Sequence, residues 1–314
     1  MKSFTTMDNI MKRLNIMLVS ITLGFSSTYA CDVCGCASGG VFVGLMPQYK
    51  KYFTGLRYQY RSFNGHLNSA TRLLRTTERF TALEWYGGLR MGQKLQILAV
   101  VPYQWHQQYN QLQQANINGP GDVQVMNTYT VMEKLKLNPR QQLLSHTLQA
   151  GLGLKLPTGR WQFTNEGQLG QHANFMPGSG SLDYIALAMY QYNHGKAGLA
   201  ATASYRFNTP NVQHFKFGNR SQFAVQGFYK LPLRKGQQLT PNAGVQLEHF
   251  AKDHQNKQTV TLSGGWLLNT TLGLEYNAAP FTTGFSIQPP IAQYLSQGQV
   301  KNKLRAMFYA AMLL

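Results

Sequence analysis

Residues 144–156 read LSHTLQAGLGLKL, and their alternation decides the fold. Leu144, His146, Leu148, Ala150, Leu152, Leu154 and Leu156 fall on one face, and Ser145, Thr147, Gln149, Gly151, Gly153 and Lys155 on the other. A period of two belongs to a strand with one apolar and one wet face. The same split recurs over 197–207, where Ala197, Leu199, Ala201, Ala203, Tyr205 and Phe207 oppose Gly198, Thr202, Ser204 and Arg206. Over 266–276, Trp266, Leu268, Leu272, Leu274 and Tyr276 oppose Asn269, Thr271, Gly273 and Glu275. Near the start, Tyr52, Leu56, Tyr58 and Tyr60 oppose Arg57, Gln59 and Arg61.

Counting outward, about twelve such segments begin near 51, 78, 95, 121, 142, 181, 196, 222, 239, 265, 279 and 303, in strands of the length that crosses a bilayer. Long connections (62–77, 108–119, 158–180, 208–221, 251–263, 289–302) alternate with short ones (91–94, 135–141, 193–196, 232–238, 276–280). That alternation predicts an all-β, up-and-down antiparallel transmembrane barrel, with both termini and the short turns on the periplasmic side. Tyr52, Trp85, Tyr103, Trp105, Tyr205, Phe207, Trp266 and Tyr276 supply the aromatic girdles such a wall carries at its two interfaces.

Composition agrees. Only 13% of the 314 residues are charged, about half the share usual in soluble domains. After the N-terminus no run of 18 apolar residues occurs, which excludes a bundle of membrane helices. Met11 to Ala30 reads as a secretory leader: Lys12 and Arg13, an apolar run from Leu14 to Phe25, then small residues before a cut after Ala30. Met11 is an alternative start. Cleavage removes Lys2, Lys12, Arg13 and Asp8, leaving 26 basic and 10 acidic residues and a formal charge of +16. The expected organisation is a leader over 1–30, a Cys-rich segment over 31–50 packed as a plug, and one barrel over 51–314.

The three cysteines, Cys31, Cys34 and Cys36, follow the cut directly. Their CxxCxC spacing suits soft-metal capture of copper or zinc, a periplasmic disulfide, or acylation of Cys31. The eight histidines form no HxH or HxxxH pair, and Ser145 and His146 point to opposite faces of their strand, so nothing selects a catalytic set. A protein that is not an enzyme is expected, with a lipid-acting barrel enzyme as an alternative.

Glu84, Asp122, Asp183, Glu248 and Glu275 fall on the inward face beside Arg57, Arg61, Arg90, Lys155, Arg206, Lys230 and Arg305. Such a lumen either favours anionic or polar solutes or fills itself with ion pairs. Arg57, Arg61, Arg90, Lys155 and Arg206 are the first candidates for solute contact, with Glu84 and Glu275. Arg72, Arg75, Lys134, Lys136, Arg140, Arg160, Lys216, Arg220, Arg234, Lys235, Lys252 and Lys257 sit in loops and turns. An exported protein with this spread of charge points to outer-membrane lipid and lipopolysaccharide as partners, not nucleic acid.

Three motifs carry a family likeness: Gly119-Pro-Gly121-Asp122-Val123 opening a strand, the run from Gly151 to Pro157, Thr158 and Gly159 closing one, and Pro177-Gly178-Ser-Gly180-Ser-Leu-Asp183 opening the next. Together with the Tyr-Arg-Phe ending at Phe207, they resemble the outer-membrane β-barrel family named for the meta-pathway of phenol degradation, over roughly residues 119–230. The CxxCxC start resembles that of exported Bacteroidetes-type barrels. The resemblance implies a channel passing a small hydrophobic or aromatic molecule. The readings that remain open are a channel for a hydrophobic or anionic solute, a barrel that presents the cysteines to copper, zinc or a periplasmic thiol partner, and a lipid-acting enzyme. Asp122 and Asp183 are expected to cap turns at the barrel mouth or to hold a loop over the lumen.

Overall fold

The computed structural model describes residues 52–69, 72–110, 113–137, 143–163, 170 and 172–314. The leader, the cysteine cluster, the 31–50 segment and Arg140 lie outside the described residues. Twelve long antiparallel strands form a ring: β1 Tyr52–Ser69, β2 Arg72–Met91, β3 Leu95–Tyr109, β4 Gln124–Leu137, β5 Leu143–Lys155, β6 Asp183–His194, β7 Ala197–Phe207, β8 Arg220–Tyr229, β9 Gln238–Phe250, β10 Gly265–Ala278, β11 Phe281–Gln288 and β12 Val300–Leu313. Each pairs with its sequence neighbours, and β12 returns to β1 through a register from Phe53 opposite Leu313 to Gly65 opposite Val300. Closure leaves no sheet edge along this wall, the condition for a sheet in lipid.

The alternation sets which side chains face out. On β5, Leu152 is 74% exposed and Lys155 only 3%. Leu83, Trp85, Tyr103, Trp105, Leu199, Tyr205, Phe207, Phe223, Leu247 and Leu274 are exposed on the outer wall. Exposed apolar side chains on nearly every strand would be costly in water, and they are what an acyl-chain surroundings requires. Glu84, Asp122, Lys155, Asp183, Arg206, Glu248, Glu275 and Arg305 are all buried inside.

Several expected loops are more ordered than their composition suggests. Residues 62–77, expected as a loop, continue β1 and β2 as one hairpin, with Gly65 opposite Thr76 and Ser69 opposite Arg72. Arg72 and Arg75 are therefore strand residues. Gln114–Pro120 returns along β3 before β4 begins, so the chain breaks at Gly121–Val123 between two segments that share one partner. Phe215–Lys216, His254–Gln255 and Gln258–Thr259 build a small separate sheet from two of the long loops. Arg220, expected in a loop, is the first residue of β8 and points inward opposite Arg206.

Candidate functional site: the lumen and its inserted loop

Of the connection between β5 and β6, the described residues 170 and 172–177 fold back into the barrel. A helical turn there, Ala173–Phe175, is buried throughout, and Phe175 is wholly enclosed. The inward row of β3 holds it. Gln104 donates Nε2 to the Pro177 carbonyl at 3.0 Å, His106 Nδ1 meets the Phe175 carbonyl at 2.6 Å, and Gln108 Oε1 accepts the Gly170 N–H at 2.7 Å. Residues two apart on a strand share a face, so one strand presents three polar groups to one loop.

Phe175 packs against Phe80 and His106 at ring separations of 6.0 and 5.7 Å. It belongs to a cluster with Phe63, Phe80, Phe250, Leu267, Leu295 and Val300, all inward at the long-loop end. A second cluster of Phe163, Ala173, Met176, Phe215 and Phe217 joins it to the neighbouring loops. Asp253 ties the same elements together: its carboxylate accepts from Asn174 Nδ2 at 3.2 Å and from the Gly218 N–H at 2.7 Å. The long-loop end of the lumen is filled with packed side chains.

The three sequence motifs converge beneath this lid. Asp122 Oδ1 accepts the Gly159 N–H at 3.0 Å, and Oδ2 accepts the Ser179 N–H and hydroxyl at 2.8 and 2.6 Å. Lys155 Nζ lies 3.0 Å from Asp122 Oδ2 and 2.5 Å from Asp183 Oδ2, and also donates to Ser179. Asp183 Oδ1 takes the Ser181 hydroxyl at 2.9 Å and the Thr209 N–H at 3.0 Å. Gly159 and Gly178 stand back to back, since a Cβ on Gly159 would come within 2.7 Å of the Gly178 Cα. Gly180, at φ +69°, occupies the left-handed region that glycine enters without strain. Gly119 and Gly121 frame the break before β4, where the Gly121 N–H reaches the Pro102 carbonyl at 2.9 Å. Asp122 thus caps backbone donors and at the same time holds the loop over the lumen.

Below the lid the lumen is polar. Arg305 forms a two-pronged pair with Glu248, at 2.6 and 3.1 Å, and Arg57 pairs with Glu84. Glu275 accepts from Tyr309 and, at 2.9 Å, from Asn277. A small open space lies among Arg61, Arg206, Arg220, Glu248 and Arg305. Arg90 is elsewhere: it donates to the Gln93 carbonyl in the short β2–β3 turn, away from this space. Beside Arg206, Ile185 begins an inward apolar strip with Leu187, Met189 and Met126. Among the described residues no group of three or more His, Cys, Asp or Glu is placed to hold a metal.

Sequence patterning placed Arg61, Lys155, Arg206, Asp122 and Asp183 on the inner wall, and the fold draws the last two to Lys155. It missed the inserted loop, His106 and Arg220. The signal for the loop was present in the run Ala173-Asn-Phe-Met176, an apolar stretch inside an otherwise polar connection.

No family model matches the chain, and no curated protein matches it. Among solved structures, an outer membrane channel from Pseudomonas putida F1 is similar with a TM-score of 0.58 and 12% identity, over 87% of this chain and 100% of that one. The β-domain of the Bordetella autotransporter BrkA gives 0.49 and 8% identity over 84% and 100%. A mutant of TodX, a monoaromatic hydrocarbon channel, gives 0.39 and 10% over 85% and 91%. The first likeness is one of fold: a closed, membrane-spanning antiparallel barrel.

Proposed function

We propose that the protein is an outer-membrane channel for a small solute, closed in this conformation by residues 172–177 of the β5–β6 connection, and not an enzyme. The observation that carries this reading is the burial of Phe175 inside a closed barrel, held by three polar side chains of one strand above an arginine-lined space. A purely structural barrel has no need to draw a connecting loop into its lumen and leave a charged space beneath it. The solved outer-membrane channel of the same fold supports the location and the class. Short turns lie at the end where β1 begins and β12 finishes, which supports a periplasmic placement of that end. The resemblance to the meta-pathway barrel family supports the same class.

Planar bilayers test this. Replacing His172–Met176 with a Gly/Ser stretch should raise unit conductance severalfold over the native protein, with anions carrying the larger share of current in a potassium chloride gradient. A replaced protein that inserts and conducts no better than blank membranes overturns the channel reading. Copper or zinc capture by Cys31, Cys34 and Cys36 is a separate proposal from the sequence. Metal titration of the mature protein against a triple Cys→Ser variant decides it, equal binding by both being the negative result.

A further inference from the structure

Three strands change character together where the outer wall meets the short turns. On β5 the outward row runs Leu154, Leu152, Ala150 and Leu148, and then turns polar at His146. Directly across from His146 stand Lys134 on β4 and Tyr192 on β6. Its Nδ1 lies 2.7 Å from the Tyr190 hydroxyl, and its ring lies 4.8 Å from that of Tyr192. Lys136 follows on the same face of β4, opposite Leu144.

The two lysines reach this face because their strand is bulged. Met126, Thr128 and Thr130 are buried on the inner side of β4. An unbroken period of two would carry Lys134 and Lys136 inward with them. The register shifts between Thr130 and Met132, so that Glu133 pairs with the inward Thr147 and Lys134 with the outward His146. A bulge re-aims the side chains beyond it. Two exposed ammonium groups, expected from the sequence in a turn, are thereby set on the outer wall, and Glu133 is turned to the other face.

Above this polar corner the wall is hollowed. Ala150, Ala188 and Ala203 stand level on three neighbouring strands. They lie between Tyr129 on one side and Phe223 on the other, both exposed. Methyl groups between two rings leave a shallow trough, about 10 Å between its outer strands, that runs along the wall toward His146.

We infer that this corner binds an anionic glycerophospholipid. Its phosphate sits against Lys134, Lys136 and His146, and an acyl chain lies over the three alanines. The polar end is what points to a ligand, since the trough alone would suit any apolar neighbour. Lipid phosphate is the anion met at the depth where an apolar wall turns polar, and basic side chains near a bilayer surface attract it. Tyr190 and Tyr192 stand at that depth too, as interfacial aromatic residues do. A second copy of the chain docked here about a two-fold axis would bring like charges together. The inference rests on the outer-membrane placement of the wall, with the short turns in the periplasm, and not on conduction.

Native mass spectrometry of the refolded, detergent-held protein tests it, with dioleoyl phosphatidylglycerol, dioleoyl phosphatidylcholine and glycerol 3-phosphate as probes. One phosphatidylglycerol should be retained per chain, about fivefold more strongly than phosphatidylcholine. Glycerol 3-phosphate, a head group without chains, should not be retained. Lys134→Gln with Lys136→Gln should lose about fivefold or more in phosphatidylglycerol retention. Lys216→Gln, beside Phe207 at the opposite end of the wall, should keep native retention. Ala188→Phe fills the trough and should weaken both lipids alike. Should the double lysine variant fail to give the folded band in unheated gels, His146→Leu should weaken phosphatidylglycerol in the same direction. Equal retention of the two lipids, retention of glycerol 3-phosphate, undiminished retention in the folded lysine variant, equal loss in Lys216→Gln, or a dimer that Ala188→Phe disperses overturns the inference. Lost lipid retention beside intact bilayer conductance removes the lipid site alone, and absent conductance in the loop-replaced protein removes the channel alone.

Discussion

Lys155 faces Asp122 and Asp183 and donates to Ser179 at the foot of the lid. Deleting one member of a buried ionic group leaves the rest uncompensated, at a cost of about 3–5 kcal/mol. Lys155→Met is therefore expected to lower the midpoint of urea unfolding clearly in lipid vesicles, whereas the joint change Lys155→Met, Asp122→Asn and Asp183→Asn should recover part of the loss. Gly159→Ala makes a separate test, because its methyl would press on Gly178. Proteolysis of the 156–182 loop should speed up in that variant while the barrel stays folded. These roles were only partly legible in the sequence. Alternation told which face Lys155 and the two aspartates occupy, since a one-residue slip would move every charge onto lipid. Their meeting depends on a connection of more than 20 residues returning to the same point, and no local period records that.

Among the elements, the strands were the readable part. Twelve segments were expected and twelve form the ring, because burial on one side and lipid on the other imposes a period of two over the whole length. The long connections were not readable. Gln114–Pro120 and the 62–77 hairpin are strands beyond the main wall, where neither face is held to the apolar rule, so their patterning is weak. The hairpin tip illustrates the difference. Pairing of β1 with β12 stops at Gly65, and pairing of β2 with β3 stops at Thr77. Replacing residues 66–75 by a two-residue Asn-Gly turn is therefore expected to leave the folded band and the unfolding midpoint unchanged. The lipid wall should respond oppositely. Leu247, exposed between Phe223 and Leu268 on neighbouring strands, is a site where arginine costs about 2–4 kcal/mol if it lies at mid-depth. Leu247→Met should be near neutral in the same vesicle-folding titration.

At the scale of the molecule, the lumen is layered: an aromatic lid at the long-loop end, a charged clamp beneath it, then an arginine-lined space with an apolar strip leading on. Twelve strands enclose a bore between the side-chain-filled barrels of eight and the open porins of sixteen, which explains how a single loop can stop it. Raising salt should reduce the anion preference of current through the loop-replaced protein by screening the arginines, and it should barely alter the packing of Phe175 against Phe80. Reversal potentials in bilayers at low and high potassium chloride would show this as a loss of selectivity, with an unchanged loop-cleavage rate.

The seam of the ring joins residue 53 to residue 313, the two most distant strands of the wall in sequence. Until β12 arrives, β1 presents an unzipped row of amides and carbonyls, and so does every later hairpin at the growing edge. Insertion is consequently an all-or-nothing event of high contact order, slow without help and exposed to wrong pairings while it waits. Pairing of the last strand with the first, not the making of hairpins, is therefore the longest chain closure this molecule has to make.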